Sequence, residues 1–341
     1  MKIWIAVLTI CFSLPWAMTG LALEADDAEN LVLYLENDMF GGTDKNYSNA
    51  VKLSWTSGDI DEYSDDGFTP KDVPVLGSWL SREGYQRNLG LSVGQNIYTP
   101  EDTDSKELVE DDRPYAGLLY LAFALYRKNE ITLDTLELTL GVIGPASLAQ
   151  DSQRLVHDLY GIDSPQGWDN QLGNELGVGL SWQRSWRMIT VGRPSGWGWD
   201  LIPHLGIAAG NISTYANTGF DIRFGYNIPR DFGTSLIRPA GNILAPVSET
   251  DPRLNNKRDF GIVWFAQVEG RAVAYNVFLD GNTFEDSHNV DKEPFVADFS
   301  AGISLIYKAF KLTYTHVYRT EEFTEQDGGQ VFGSVALSMT F

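Results

Sequence analysis

Cysteine is almost absent from this sequence. Its 341 residues hold one, Cys11, so an intrachain disulfide and a zinc site built on thiolates are both excluded. Basic residues are scarce. With 25 Lys and Arg against 46 Asp and Glu the formal charge is −21, which argues against a nucleic-acid-binding surface, because that needs clustered base. Long apolar runs are missing after residue 22, so nothing there approaches the ~18 residues that a membrane-spanning helix takes. A mean hydropathy of −0.19 excludes a polytopic helical membrane protein. It does not exclude a membrane β-barrel, whose strands alternate polar and apolar residues and so average to an ordinary value. No G-x-S-x-G nucleophile elbow occurs. Histidines number four: His157, His204, His288 and His316.

What is present begins with an export pattern. Met1-Lys2, an apolar stretch from Ile3 to Trp16, and small residues at Gly20 and Ala22 predict a signal peptide over residues 1–22. Residues 23–341 would then form the mature domain, and removal of Cys11 would leave it without cysteine. Composition there is too apolar for disorder, at 43% hydrophobic and 12% aromatic over the whole chain.

Period-two alternation in runs of roughly ten residues recurs along the mature chain. In the last run Val331, Gly333, Val335, Leu337, Met339 and Phe341 share one face, and Phe332, Ser334, Ala336, Ser338 and Thr340 the other. Strands are expected near 31–36, 49–58, 88–97, 115–126, 131–142, 172–186, 200–211, 219–227, 260–278, 295–307, 311–318 and 331–341. These make an even set of about twelve, as a single-chain bacterial barrel requires. The predicted fold is therefore all-β, a transmembrane antiparallel β-barrel with a terminal Phe341, as in outer-membrane barrels. Trp55, Tyr120, Trp182, Trp186, Trp264 and Tyr314 are expected in aromatic girdles. A soluble β-sandwich is the competing fold.

With the first strand starting in the periplasm, loops after odd strands face outward. Three polar loops then share one rim: Glu36–Asn49, Tyr98–Gly117 and Ile143–Gln171. Polar residues gathered at one end of a rigid scaffold suggest a functional site. Ser147–Tyr160 reads as a helix in the third of these extracellular loops, with Pro145 before it and Gly161 after. Leu148, Leu155, Val156 and Leu159 form its apolar stripe. It is either a cap packed on the barrel mouth or an arm carrying His157 to the wall. Arg113 in DDRPYAG is expected either to pair with Asp111 or Asp112 or to contact a substrate phosphate. Trp168-Asp169-Asn170 is expected to lock the returning loop onto the sixth strand. Residues 59–87 and 228–259 are long for periplasmic turns. They mark either insertions or a strand count wrong by a pair.

The runs LENDMFGGTDKNYSNAVKLSW, GQNIYTPED, DDRPYAGLLYL, GVIGPAS, QRLVHDLYG, GWDNQL and YNVFLDGNTF, in that order, resemble the lipid A deacylase family of outer membranes. The resemblance covers nearly the whole mature chain and is densest over residues 36–171. It implies a twelve-stranded barrel and calcium-dependent hydrolysis of the 3′-linked acyloxyacyl ester of lipid A in the outer leaflet. His157 matches the family's loop-helix histidine, the implied general base on water. Asn37 and Asp38 match its Asn-Asp pair, with Asp38 an implied Ca2+ ligand. Ser48 matches a Thr/Ser hydroxyl position. Asp163 stands where relatives have an acidic residue six positions after the histidine, and is shorter by one methylene than the Glu some of them carry. It would be a second metal ligand. Arg113 would contact substrate. The implied partner is lipopolysaccharide at the extracellular rim of a Gram-negative outer membrane, with the protein acting as a monomer. Three alternatives stay open: an acyl-enzyme with Ser48 or Ser147 as nucleophile, an outer-membrane phospholipase, and a non-catalytic pore or structural barrel.

Overall fold

The computed structural model describes residues 23–38, 46–60, 83–192, 195–233, 236–241, 243–254 and 260–341. The expected signal peptide lies outside them. Thirteen strands follow in chain order: β1 (Asn30–Asn37), β2 (Asn46–Thr56), β3 (Gln86–Thr99), β4 (Ala116–Lys128), β5 (Thr132–Ile143), β6 (Glu175–Trp186), β7 (Ile189–Gly192), β8 (Trp197–Gly210), β9 (Ser213–Tyr226), β10 (Phe260–Asn276), β11 (Phe295–Tyr307), β12 (Phe310–Arg319) and β13 (Gln330–Thr340). All pairings are antiparallel between neighbours, β1 pairs with β13, and β6 pairs with β8 to close the sheet. The short β7 continues the line of β6 along the same edge of β8, after a break at Arg187-Met188. The barrel thus has twelve staves, as the alternation predicts. No helix among the described residues is long and apolar enough to cross a membrane.

The staves form because their side chains alternate, and closure removes every open edge. On β3, Leu89, Leu91 and Val93 point outward and stay about 40% exposed, while Asn88 and Ser92 point inward and are buried. On β12, Phe310, Leu312, Tyr314, His316 and Tyr318 face out, and Lys311, Thr313, Thr315 and Arg319 face in. An apolar exterior around a polar interior is the inverse of a soluble core and suits a lipid surround. Trp197, Phe224 and Trp264 stack on the outer face near one rim. Tyr120 departs from its expected place in a girdle. It faces the lumen and is buried, because Gly94 opposite it on β3 leaves room for the ring.

The rim where Asn30 pairs with Thr340 is the lower one; the loops 100–115, 144–174, 277–294 and 320–329 crown the upper rim. The long connection between β9 and β10 leaves from the lower rim, and the strand count stands. This segment turns into the lumen. Near its start, Asp231 meets Arg223 at 2.5 Å and Lys311 at 2.9 Å, both at the lower ends of their strands. Its tip reaches the upper end: Leu236 packs with Tyr47, Val317 and Phe332, and Ile237 N–H donates to Glu36 Oε1 at 2.8 Å. Arg238 pairs with Glu269 and, at 3.0 Å, with Asp298. The chain then descends. Leu244 packs on Val32 and Tyr34, Ile243, Ala245 and Val247 on Tyr126 and Leu133, and Lys128 Nζ donates to the Pro246 carbonyl at 2.5 Å. Burial alone would raise the Asp231 carboxyl, but Lys311, Arg223 and Arg253 hold it well below its ordinary value.

Candidate functional site on the outer wall

The candidate residues expected from the sequence lie on the outside of the wall, at the upper ends of β1–β4 and on the loop that covers β3 and β4. Asn37 is the outward residue that ends β1, and its Nδ2 donates to the Ser48 carbonyl on β2 at 3.0 Å. A β-bulge between Tyr47 and Asn49 inserts Ser48 as an extra residue. The Ser48 hydroxyl lies 2.6 Å from that of Thr99, the last residue of β3. Asp38 follows Asn37 and is fully buried. Ser48 and Thr99 are buried too, although outward residues lower on these strands are exposed.

Loop three supplies the cover over β3 and β4. A 3-10 turn (Pro145–Ser147) leads into helix α1 (Ala149–Tyr160). Gln95 Nε2, outward on β3, donates to the Ser147 carbonyl at 2.6 Å, and Ala149 packs with Ile97, Tyr115 and Trp168. Gly117 makes this approach possible. A Cβ there would overlap Ser147 Oγ and Ala149 Cβ. The buried face of α1 is Ala149, Gln153 and His157. The leucine stripe expected to pack on the barrel mouth instead faces away, with Leu148, Leu155 and Leu159 each more than half exposed. The arm reading of the helix therefore fits, and the cap reading does not. Trp168 locks the loop to the helix, its Nε1 donating to Gln153 at 2.9 Å, and Asn170 donates to the Lys106 carbonyl. That corrects the expected lock onto β6.

His157 is 5% exposed. Gly161 ends the helix in the left-handed conformation at φ 68°, which glycine tolerates, and turns the chain back. The Asp163 carbonyl thereby comes to 2.7 Å from His157 Nδ1. A carbonyl can only accept, so Nδ1 carries the proton and Nε2 of the neutral ring keeps its lone pair. Asp163 is itself exposed, and it is the backbone of this residue that touches the histidine. Among the described residues neither Ser48 nor Ser147 bonds to His157. Ser147 Oγ donates to the Gly144 carbonyl at 2.6 Å.

No group of three or more acidic, histidine or cysteine side chains that could hold a metal occurs among the described residues. The donors near the end of β1 are oxygens: the Asp38 carboxylate, the Asn37 amide, and the hydroxyls of Ser48 and Thr99. Hard oxygen donors suit calcium, which completes its shell with carbonyls and water. The donor type fits, with Asp38 the buried carboxylate.

Arg113 is fully buried, its Nη1 at 3.2 Å from Glu322 in the last upper loop and its guanidinium 5.0 Å above the Tyr98 ring. The expected partners Asp111 and Asp112 do not hold its side chain; Asp112 instead accepts from the backbone N–H groups of Glu101 and Arg113. Burial would raise Glu322, but Arg319 and Arg113 hold it down. His288 is joined to loop two through the Asp112 carbonyl at 2.7 Å, and His204 lies in the lumen beside Glu269. His316 faces outward in register with Gly333, which is in register with Asn37. Thr99, Gln95 and Gln153 lie in the runs GQNIYTPED and QRLVHDLYG that carry the family resemblance, but nothing in those runs sets them apart as site residues. Their strand and helix positions are their only signal.

The family profile described as Outer membrane protein LpxR matches residues 3–341. The structure of LpxR from Salmonella typhimurium superimposes with a TM-score of 0.72 at 19% identity, covering 92% of this chain and 100% of that one. The β domain of the Bordetella autotransporter BrkA gives 0.40 at 9% identity, covering 92% and 97%. An outer membrane channel from Pseudomonas putida F1 gives 0.37 at 10%, covering 96% and 99%. No curated protein matches the sequence. With the profile spanning nearly every residue and the fold shared with the Salmonella protein, the chain belongs to the outer membrane protein LpxR family.

Proposed function

We propose that the protein hydrolyses the 3′-linked acyloxyacyl ester of lipid A in the outer leaflet of the outer membrane, with water as nucleophile and His157 as general base. The observation that carries this reading is a buried histidine with its Nδ1 proton committed to a carbonyl, held against the outer wall of a closed barrel. A substrate whose acyl chains lie in the membrane reaches such a wall laterally, with its ester at the level of the upper rim.

In the reaction His157 Nε2 takes a proton from water as the water oxygen adds to the ester carbonyl carbon. Collapse of the tetrahedral adduct breaks the bond to the sugar oxygen, and His157 returns the proton to that oxygen. The products are a free 3′ hydroxyl and the released acyloxyacyl carboxylic acid. Calcium, held by Asp38 with the neighbouring oxygens, would polarise the carbonyl and stabilise the oxyanion when bound. The Asp163 carbonyl fixes the ring so that Nε2 is the basic nitrogen, and the Asn37 amide ties β1 to the bulge that carries Ser48.

An acyl-enzyme route has less support, since neither candidate serine bonds to His157. The test is purified protein in detergent with lipid A, with calcium or with chelator, and products identified by mass spectrometry. Loss of the 3′ chain only with calcium is expected. Cleavage of glycerophospholipid and not lipid A would replace this reading with a phospholipase, and cleavage of neither would overturn it.

A further inference from the structure

The barrel wall behind the site is fastened to a segment that has no contact with substrate on the proposed route. Glu36 is the inward neighbour of Asn37 on β1, and Tyr47 the inward neighbour of Ser48 on β2. Glu36 Oε2 accepts from Tyr47 OH at 2.9 Å, and Glu36 Oε1 accepts from the Ile237 N–H at the tip of the luminal segment at 2.8 Å. Leu236 packs on the Tyr47 ring from the same tip. Tyr47 lies 5.4 Å from Tyr98, whose outward neighbour is Thr99. Each outward site residue thus shares a peptide bond with an inward residue of this chain of contacts.

The wall needs such a fastening at this place. Ser48 sits in a bulge, where the ladder is interrupted and a strand bends most easily. Glu36 and Asn37 end β1, so they have no further ladder above them. Most other luminal carboxylates, including Asp134, Asp200, Asp231, Glu269 and Asp298, sit in ion pairs. Among the described residues Glu36 has no ion pair at contact distance; its two oxygens accept from the bulge tyrosine and the segment tip, with the Ser334 hydroxyl on β13 and the charge of Arg238 also near. The segment itself is rooted by Asp231 and Arg238, so its tip is a fixed point.

We propose that the tip of the luminal segment, at Leu236 and Ile237, acts through Glu36 and Tyr47 as a brace that positions Asn37 and Ser48 on the opposite face. Glu36 is a positioning residue, and the site depends on a segment that enters the barrel from the other rim. This inference rests on the deacylase reading only for its kinetic arm.

The test compares folded wild type, Glu36→Ala, Glu36→Gln, Ile237→Pro and the double variant Glu36→Ala with Ile237→Pro. Glu36→Ala and Ile237→Pro should each lower kcat about tenfold, the size of one lost hydrogen bond expressed as a rate, with KM unchanged. Glu36→Gln can keep the contacts, with its amide oxygen accepting from the Ile237 N–H and its NH2 donating to the Tyr47 hydroxyl, and should retain most of the rate. The double variant should fall no further than Glu36→Ala alone, because that change already removes the contact that Ile237→Pro removes. Losses that multiply, or a kcat untouched by either change, would overturn the brace. Hydrogen exchange read by mass spectrometry gives an activity-free arm: amides of residues 31–38 should exchange faster in Ile237→Pro. Unchanged exchange there overturns the brace even in an active enzyme, whereas a wild type with no deacylase activity overturns only the proposed function.

Discussion

On three neighbouring strands, consecutive residues face opposite ways: Glu36, Tyr47 and Tyr98 point into the lumen, and Asn37, Ser48 and Thr99 point out. The inward set is locked by aromatic packing, a bound carboxylate and a chain segment threaded from the lower rim. The outward set includes the contacts of Asn37 with the Ser48 carbonyl and of Ser48 with Thr99, and is flanked by a helix that rests on β3 and β4 through small residues. One face is built to be fixed and the other to be approached. The period of a β-strand allows this, since the two faces share a backbone but no side chains.

The largest way to break the comparison is to remove His157, the proposed base. His157→Asn should lower lipid A deacylation by ~10²–10⁴-fold while the barrel still shows heat-modifiable gel migration, since α1 adds nothing to the strand ladder. Normal turnover would discard the general-base role. Gly117→Ala comes next. Its Cβ would push Ser147 and Ala149 off β4, and a displacement near 1 Å costs about 10²-fold in rate. Far-ultraviolet circular dichroism should stay the same and the activity should fall. Full activity would show that the helix need not dock there.

Asp231→Asn sharpens the comparison from the inside. It leaves Lys311, Arg223 and Arg253 buried without their shared carboxylate, a cost of ~3–5 kcal/mol. Planar-bilayer conductance should rise from near zero in wild type to open events in the variant; a variant as silent as wild type would show that other contacts hold the segment. Acid should act in the same direction. A carboxyl held below its ordinary value of 3.8 contributes stability that is present above that pH and lost as pH falls through its folded value. Wild-type conductance should therefore stay low from neutral pH to about 4 and rise only in stronger acid. The smallest effect belongs to His316→Asn. The residue shares the outward row with Asn37, but β13 lies between their strands, a separation of about 10 Å across the ladder. Most activity should remain.

The alternation of Leu89, Leu91 and Val93 with Asn88 and Ser92 made the staves legible, and parity then gathered Asn37, Ser48 and His157 on one rim. The helix was legible by its stops at Pro145 and Gly161, but its packing was not. A leucine stripe normally marks the buried face, and here the exposed surroundings invert that rule while Gln153 and His157 turn inward. Arg113 finds Glu322, 209 positions away, where the sequence offers Asp111 and Asp112 at hand. The luminal segment was least legible of all. Its Pro, Arg, Asp and Gly content reads as a surface loop, and its burial depends on charges supplied by Arg223, Lys311, Glu269 and Asp298 on distant strands.

The face used by substrate can be read directly. Cys11 is the sole native cysteine, so a variant lacking it accepts one new cysteine carrying a photoreactive maleimide. Asn49 faces outward beside Asn37, and Asn96 faces the lumen one residue along the neighbouring strand. In vesicles containing lipid A, irradiation should cross-link lipid A to the probe at Asn49→Cys and leave the probe at Asn96→Cys unreacted. Cross-linking at Asn96→Cys with none at Asn49→Cys would place the substrate inside the barrel and contradict the account.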